Sequence, residues 1–133
     1  MKVLLVAGLY ISMIQVVNGQ DYNEFASVDR RALSIPASET RSSAAIAAYV
    51  QANFKTDVEK LRAIYAWVIT NIRYDTDSMY PINWSLGHEE QIAATLRRRK
   101  GVCENYAALF TDLSVKCGIP SFVVTATQRC RDW

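Results

Sequence analysis

Histidine is nearly absent from this chain, and that shortage narrows the chemistry available to it. His88 is the single histidine among 133 residues. With no Cys-x-x-Cys pair either, a His/Cys zinc site of familiar spacing is excluded. Acidic clusters that would mark an oxygen-ligand site for calcium are also missing, so neither a metal nor an organic cofactor is expected. Dense positive charge is scarce too. The formal net charge is +2, and Arg97–Lys100 is the only tight basic run. No aromatic residues interleave that run, so a solvated helix end explains it better than a nucleic-acid patch. Internal repeats and low-complexity segments are lacking. What remains, half apolar and 21% charged, is an ordinary composition for one domain.

The first nineteen residues, MKVLLVAGLYISMIQVVNG, carry one lysine, an apolar run and then small or polar residues. This is the pattern of a secretory signal peptide spanning residues 1–19, with cleavage expected near Gln20. A membrane anchor needs about 20 apolar residues, and Ser12, Gln15 and Asn18 interrupt the run too early, so no stable membrane anchor is expected. A secreted or periplasmic protein follows. Loss of Lys2 brings the net charge to +1, which gives no reason to expect nucleic acid or an anionic lipid as partner.

Residues 20–38 read as a polar, irregular segment ending at Pro36. From residue 39 the pattern turns helical. Ser42 or Ser43 can cap a first helix whose stripe is Ile46, Tyr49, Val50 and Phe54. Thr56-Asp57-Val58-Glu59 is a capping box opening a second, with Leu61, Ile64, Tyr65, Val68 and Ile72 along one face. Trp67 lies off that stripe, which suits burial against another element. Residues 74–90 form a loop with Pro81 and Gly87. Its Asn83-Trp84-Ser85 matches the N-glycosylation acceptor pattern, relevant in a eukaryotic secretory pathway. Tyr74 and Trp84 are candidate substrate-side residues, and plain packing of a loop accounts for them equally well.

A helix over residues 89–100 comes next, ending in cations that complement its dipole, with Gly101 as the expected stop. Cys103 opens another helix, with Tyr106, Phe110, Leu113 and Cys117 at helical spacing behind it, and Gly118 and Pro120 close it. Ser121–Thr127 reads as a strand. Helices first and a strand last fit an α+β layout. A cysteine in the first turn of a helix meets free N–H groups and the positive end of the dipole, which favour the nucleophilic thiolate. The same residue on the same stripe also fits a plain buried thiol. Cys117 reads as core, and Cys130, in the polar tail QRCRDW, as free or paired. A Cys103–Cys117 bridge is disfavoured, because fourteen helical residues put the two about 21 Å apart.

The words LRRRKGVCENYAALFTDLSVKCGIPSFVVT and, upstream, AIYAWVITNIRYD resemble the core of the transglutaminase-like superfamily of cysteine acyltransferases and peptidases. The likeness covers about residues 56–127 and is most specific over Gly101–Ala107. It implies that residues 39–133 are the N-terminal helical half of a transglutaminase-like (papain-like) fold, with only the first sheet strand present. It also places the family's nucleophile on Cys103. The implied chemistry is acyl transfer through a thioester, from a glutamine carboxamide or a peptide bond of a protein or peptide substrate, to water or an amine. The family's His and Asp lie on strands downstream of the cysteine, and no residue here matches them. His88 stands a helix of about 16 Å from the thiol, and Asp75 and Asp112 have no histidine to orient. The expectation is a C-terminally truncated domain, inactive by itself, whose segment Phe122–Thr127 is an unpaired edge open to a partner strand. A non-catalytic binding domain that keeps these helices is the alternative.

Overall fold

A computed structural model describes residues 24–76 and 87–124, and its first element lies where no regular structure was expected. Helix α1 spans Ala26–Leu33, inside the segment read as irregular. Eight residues with only Val28 and Ala32 buried make a weak helix in isolation. Tertiary contacts supply what periodicity could not. Asp29 receives two 2.7 Å hydrogen bonds, from Nε and Nη2 of Arg62. This fork holds the Asp29 carboxyl below the usual carboxylate range. The same guanidinium lies 5.4 Å from the Phe25 ring centre and 5.3 Å from that of Tyr65.

A 3-10 turn, Ala37–Thr40, leads into α2, Ser43–Asn53. Ser42 is its cap, accepting from the Ala45 N–H. Helix α3, Asp57–Asn71, starts on the expected capping box: Thr56 Oγ1 accepts from Glu59 N–H, while Glu59 Oε2 accepts from Thr56 N–H. The expected face of α3 is only partly right. Ile64, Val68 and Ile72 are buried, but Tyr65 stays 45% exposed, and Trp67, off the stripe, is 2% exposed. The reason is position. Helix α3 packs on α1, α2 and α5 together, so its buried arc is wider than one stripe and shifted toward Trp67.

Two short strands come next in space, β1 at Arg73–Tyr74 and β2 at Lys100–Gly101, paired in parallel with Arg73 opposite Lys100. Between them in sequence lies α4, His88–Arg98. Helix α5 covers Cys103–Lys116 and ends in Gly118 at φ 82°, where Ile119 N–H reaches back to Ser114 O at 3.0 Å. The architecture is α+β: five helices and this small parallel pair among the described residues. One apolar core joins them, running from Val28 and Ala32 through Ile46, Val50, Ile64 and Trp67 to Leu109 and Leu113.

The strand expected at Ser121–Thr127 is described as far as Val124, and those four residues have no ladder partner. A ladder needs a paired strand, and the one sheet among the described residues consists of β1 and β2 alone. The apolar segment 1–19, the Asn83 acceptor pattern, Trp84, Cys130 and residues 125–127 fall outside the described residues. No helix among the described residues is long and apolar enough to cross a membrane.

Candidate active site

The site is built from the place where α3 and α4 both finish. Ile72 ends α3, and Arg99 ends α4 in the left-handed region, φ 52° and ψ 31°. The expected stop was Gly101, two residues later. A non-glycine residue held there is strained and needs support, and Arg99 has it. Its Nη2 donates to Thr40 Oγ1 at 2.9 Å, and its guanidinium carbon sits 5.1 Å from the Trp67 ring centre. The Arg99 carbonyl accepts from Arg73 N–H, and the Gly101 carbonyl from Asp75 N–H. Thus the two helix exits are stitched side by side, and the chain is delivered into α5 from a fixed direction.

Gly101 does its work here rather than at the end of α4. A Cβ on it would lie 2.6 Å from Asn105 Cβ, inside any tolerable contact. The missing side chain lets the first turn of α5 fold back over β2. Gly101→Ala should therefore destabilise the protein by about 1–3 kcal/mol. The contact is with Cβ, so Asn105→Ala should not relieve it. In an Asn105→Gly background the same substitution should cost clearly less, which a double-mutant cycle of urea midpoints measures.

Cys103 is the first residue of α5 and is exposed, so the buried-thiol reading does not hold for it. Val102 precedes it as the cap and has no side-chain acceptor to offer. The N–H groups of Cys103, Glu104 and Asn105 consequently have no hydrogen-bond partner among the described residues, and they belong to the turn that Cys103 opens. Asn105 Oδ1 accepts from the Val102 N–H at 2.9 Å. One turn on, the Tyr106 hydroxyl donates to the Ile72 carbonyl, tying α5 to the end of α3. The rings of Tyr106 and Tyr74 stand 6.1 Å apart. Burial, and next the nearness of Tyr74, push the Tyr106 hydroxyl's pKa up.

Two of the four cations in the run Arg97–Lys100 are held by partners other than the cysteine. Arg98 reaches Asp75, 6% exposed, at 3.3 Å, and Arg99 is turned inward onto Thr40 and Trp67. His88 opens α4 and is exposed, a full helix away from Cys103. Asp112 lies under Lys116, 2.5 Å away, and not near the sulfur's end of α5. The structure therefore brings neither His88 nor Asp112 to Cys103. At the far end of α5, Cys117 is buried, its sulfur donating to Ala47 O at 3.7 Å, and burial pushes its thiol up. Both cysteines are free. No group of three or more His, Cys, Asp or Glu that could hold a metal occurs among the described residues.

Beside the cysteine's helix runs an apolar groove of 430 Å³, walled by Tyr65 and Ile69 of α3, Tyr106 and Phe110 of α5, and Phe122 and Val124. Phe122 is 83% and Val124 77% exposed.

An exposed thiol opens α5 in this α+β domain. The chain belongs to the transglutaminase-like superfamily, whose core model matches residues 44–133. No curated protein and no solved structure matches the chain significantly.

Arg99 and Asn105 escaped the sequence reading. Asn105 left a signal, since it stands three residues after a cap, where a side chain can reach back to the cap's N–H. Arg99 left none, because a left-handed arginine depends on Thr40 and Trp67, remote in sequence.

Proposed function

We propose that this is a cysteine-dependent acyl-transfer domain with Cys103 as its nucleophile. One observation carries the reading: the exposed sulfur begins a buried helix whose first three N–H groups have no partner among the described residues. The thiolate attacks the carbonyl carbon of a glutamine carboxamide or peptide bond and forms a C–S bond. The negative charge that develops on the carbonyl oxygen needs fixed donors, and the first-turn N–H groups supply them. The C–N bond then breaks as the departing ammonia or amine takes a proton from solvent, and attack by water or a second amine on the thioester breaks the C–S bond, releasing the acid or new amide and returning the thiol. No step requires a metal or an organic cofactor.

Such a sequence relies on a histidine within hydrogen-bond reach, and His88, the chain's one histidine, stands a helix away. With His88 at the start of α4 and no other histidine in the sequence to serve as base, turnover by this polypeptide is expected to be negligible. The apolar segment 1–19 supports export to the cell exterior or periplasm, where the substrate would be a protein or peptide.

A second reading, a binding domain without chemistry, is favoured by the groove between α3 and α5 and by the exposure of Phe122 and Val124, which offer an added strand an apolar seat. Thiol reactivity separates the two. Tryptic digestion yields residues 101–116, in which Cys103 is the only cysteine. If Cys103 is an activated nucleophile, iodoacetamide will alkylate it at pH 6.5 at least tenfold faster in the folded chain than in the urea-unfolded chain. A folded-state rate no greater than the unfolded one would overturn the acyl-transfer reading in favour of the binding domain.

A further inference from the structure

We infer that Val102 and Asn105 form a reversed cap that positions Cys103. The side-chain acceptor is supplied from inside the helix, so that the donors beside the thiol stay unclaimed. The inference rests on Cys103 being the nucleophile.

A helix start is normally closed from outside. A Ser, Thr, Asp or Asn at the cap accepts from the N–H two or three residues on, and aliphatic residues are among the poorest caps. Ser42 and Thr56 do this for α2 and α3. Helix α5 departs from its neighbours, with valine at that place and no side-chain bond to its first turn. A serine there would accept from the Glu104 or Asn105 N–H, and so occupy a donor that a thiolate or a developing oxyanion needs. An aliphatic cap leaves these donors unoccupied.

The penalty of an open helix end is fraying, which would carry Cys103 out of the first turn. Asn105 opposes it from the other side. Its Oδ1 takes the Val102 N–H at 2.9 Å, bracketing Cys103 between two tied residues. Gly101 makes room for that side chain, since any Cβ there would meet Asn105 Cβ at 2.6 Å. The Gly101 carbonyl is in turn fixed by the Asp75 N–H at 3.0 Å. The amide also does this without charge. A glutamate can make the same reciprocal bond, but it would add a second carboxylate to a first turn that already carries Glu104.

The test is the rate of Cys103 alkylation at pH 6.5 in the full chain, folded and urea-unfolded, read on residues 101–116, together with the melting temperature. Val102→Ser should raise the melting temperature, because it adds a cap. It should also slow alkylation at pH 6.5 by about two- to fivefold, because one donor is withdrawn. Asn105→Ala should slow alkylation comparably and lower the melting temperature, and Asn105→Gln, which can make the same bond, should restore both. The ionisable groups along this approach are Lys100 in β2, Glu104 in the first turn, the Asp75–Arg98 pair behind Gly101, and Tyr74 and Tyr106. No variant changes any of them, so a changed rate reports on the N–H groups. If the native thiol reacts faster than in the unfolded chain and Val102→Ser leaves that rate unmoved, the reversed cap is wrong while the nucleophile stands. A native rate no greater than the unfolded one sinks both. Should Asn105→Ala fail to fold, Val102→Ser still decides.

Discussion

Trp67→Ala is expected to lower the unfolding free energy by about 3–5 kcal/mol, a large share of the roughly 5–15 kcal/mol that a domain of this size holds. Trp67 is 2% exposed in the middle of α3, so the substitution opens a cavity that the surrounding helices can fill only in part. A second loss compounds the first. The Arg99 guanidinium lies over the indole at 5.1 Å, and its Nη1 is buried with no hydrogen-bond partner. Without the ring, that charge loses its stacking surface too. The left-handed turn at Arg99 would then relax, loosening β2 and the entry to α5. Urea denaturation measures the effect, with Trp67→Phe as the milder companion should the alanine variant not fold. A loss within about 0.5 kcal/mol, as for surface substitutions, would show that the indole does not anchor the core.

That anchoring role marks the boundary of what the sequence disclosed. Where a helix carries its own instructions, the chain was readable. Thr56 and Glu59 announce the start of α3, Gly118 and Pro120 the end of α5, and Ile46 with Val50 the inner face of α2. These signals are local, within a turn or two of the element they specify. Helix α1 has no such signals. It is short and polar, and it is held by Arg62, thirty-three residues away. Strands of two residues cannot show alternation, so β1 and β2 were invisible. Gly101 was noticed for the right residue type and the wrong duty: its lack of a Cβ serves Asn105, while an arginine supplies the left-handed turn. Tyr65 was misplaced because the buried arc of α3 depends on which helices surround it, and the residue spacing does not say.

The site was legible in the same uneven way. Cys103 at a helix start follows from the break after Lys100 and the stripe behind it, and the family match covers that segment. The disposition of the four cations could not be read. Asp75 and Trp67 draw Arg98 and Arg99 to structural duties, and both partners come from the preceding helix and strand. On the proposed reading, what remains beside the cysteine is the backbone N–H groups of the first turn of α5. Such donors act over short range and are fixed in place, which ties reactivity to the integrity of one helical turn.

An activated ester should acylate Cys103 once, and Cys103→Ala should abolish the event. With p-nitrophenyl acetate the full chain is expected to release close to one equivalent of p-nitrophenolate in a burst, with the acetyl group found on residues 101–116. The nitrophenolate leaves as an anion and needs no proton, so the thiolate and the first-turn donors suffice for this half of the reaction. An amide is different, because its nitrogen must be protonated before it can leave. No histidine lies near the sulfur to do that. Loss of the base in a comparable hydrolase lowers turnover on the order of 10⁶-fold, so a glutamine-bearing peptide should show no release above background. Deacylation should be slow for the same reason, leaving the thioester intact long enough for mass measurement. Cys103→Ser should behave like the alanine variant, since a hydroxyl without a base is not ionised at neutral pH. An undiminished burst in Cys103→Ala would move the nucleophile elsewhere. Amide turnover that survives in the native chain but disappears in Cys103→Ala would instead show that a proton acceptor does reach the sulfur.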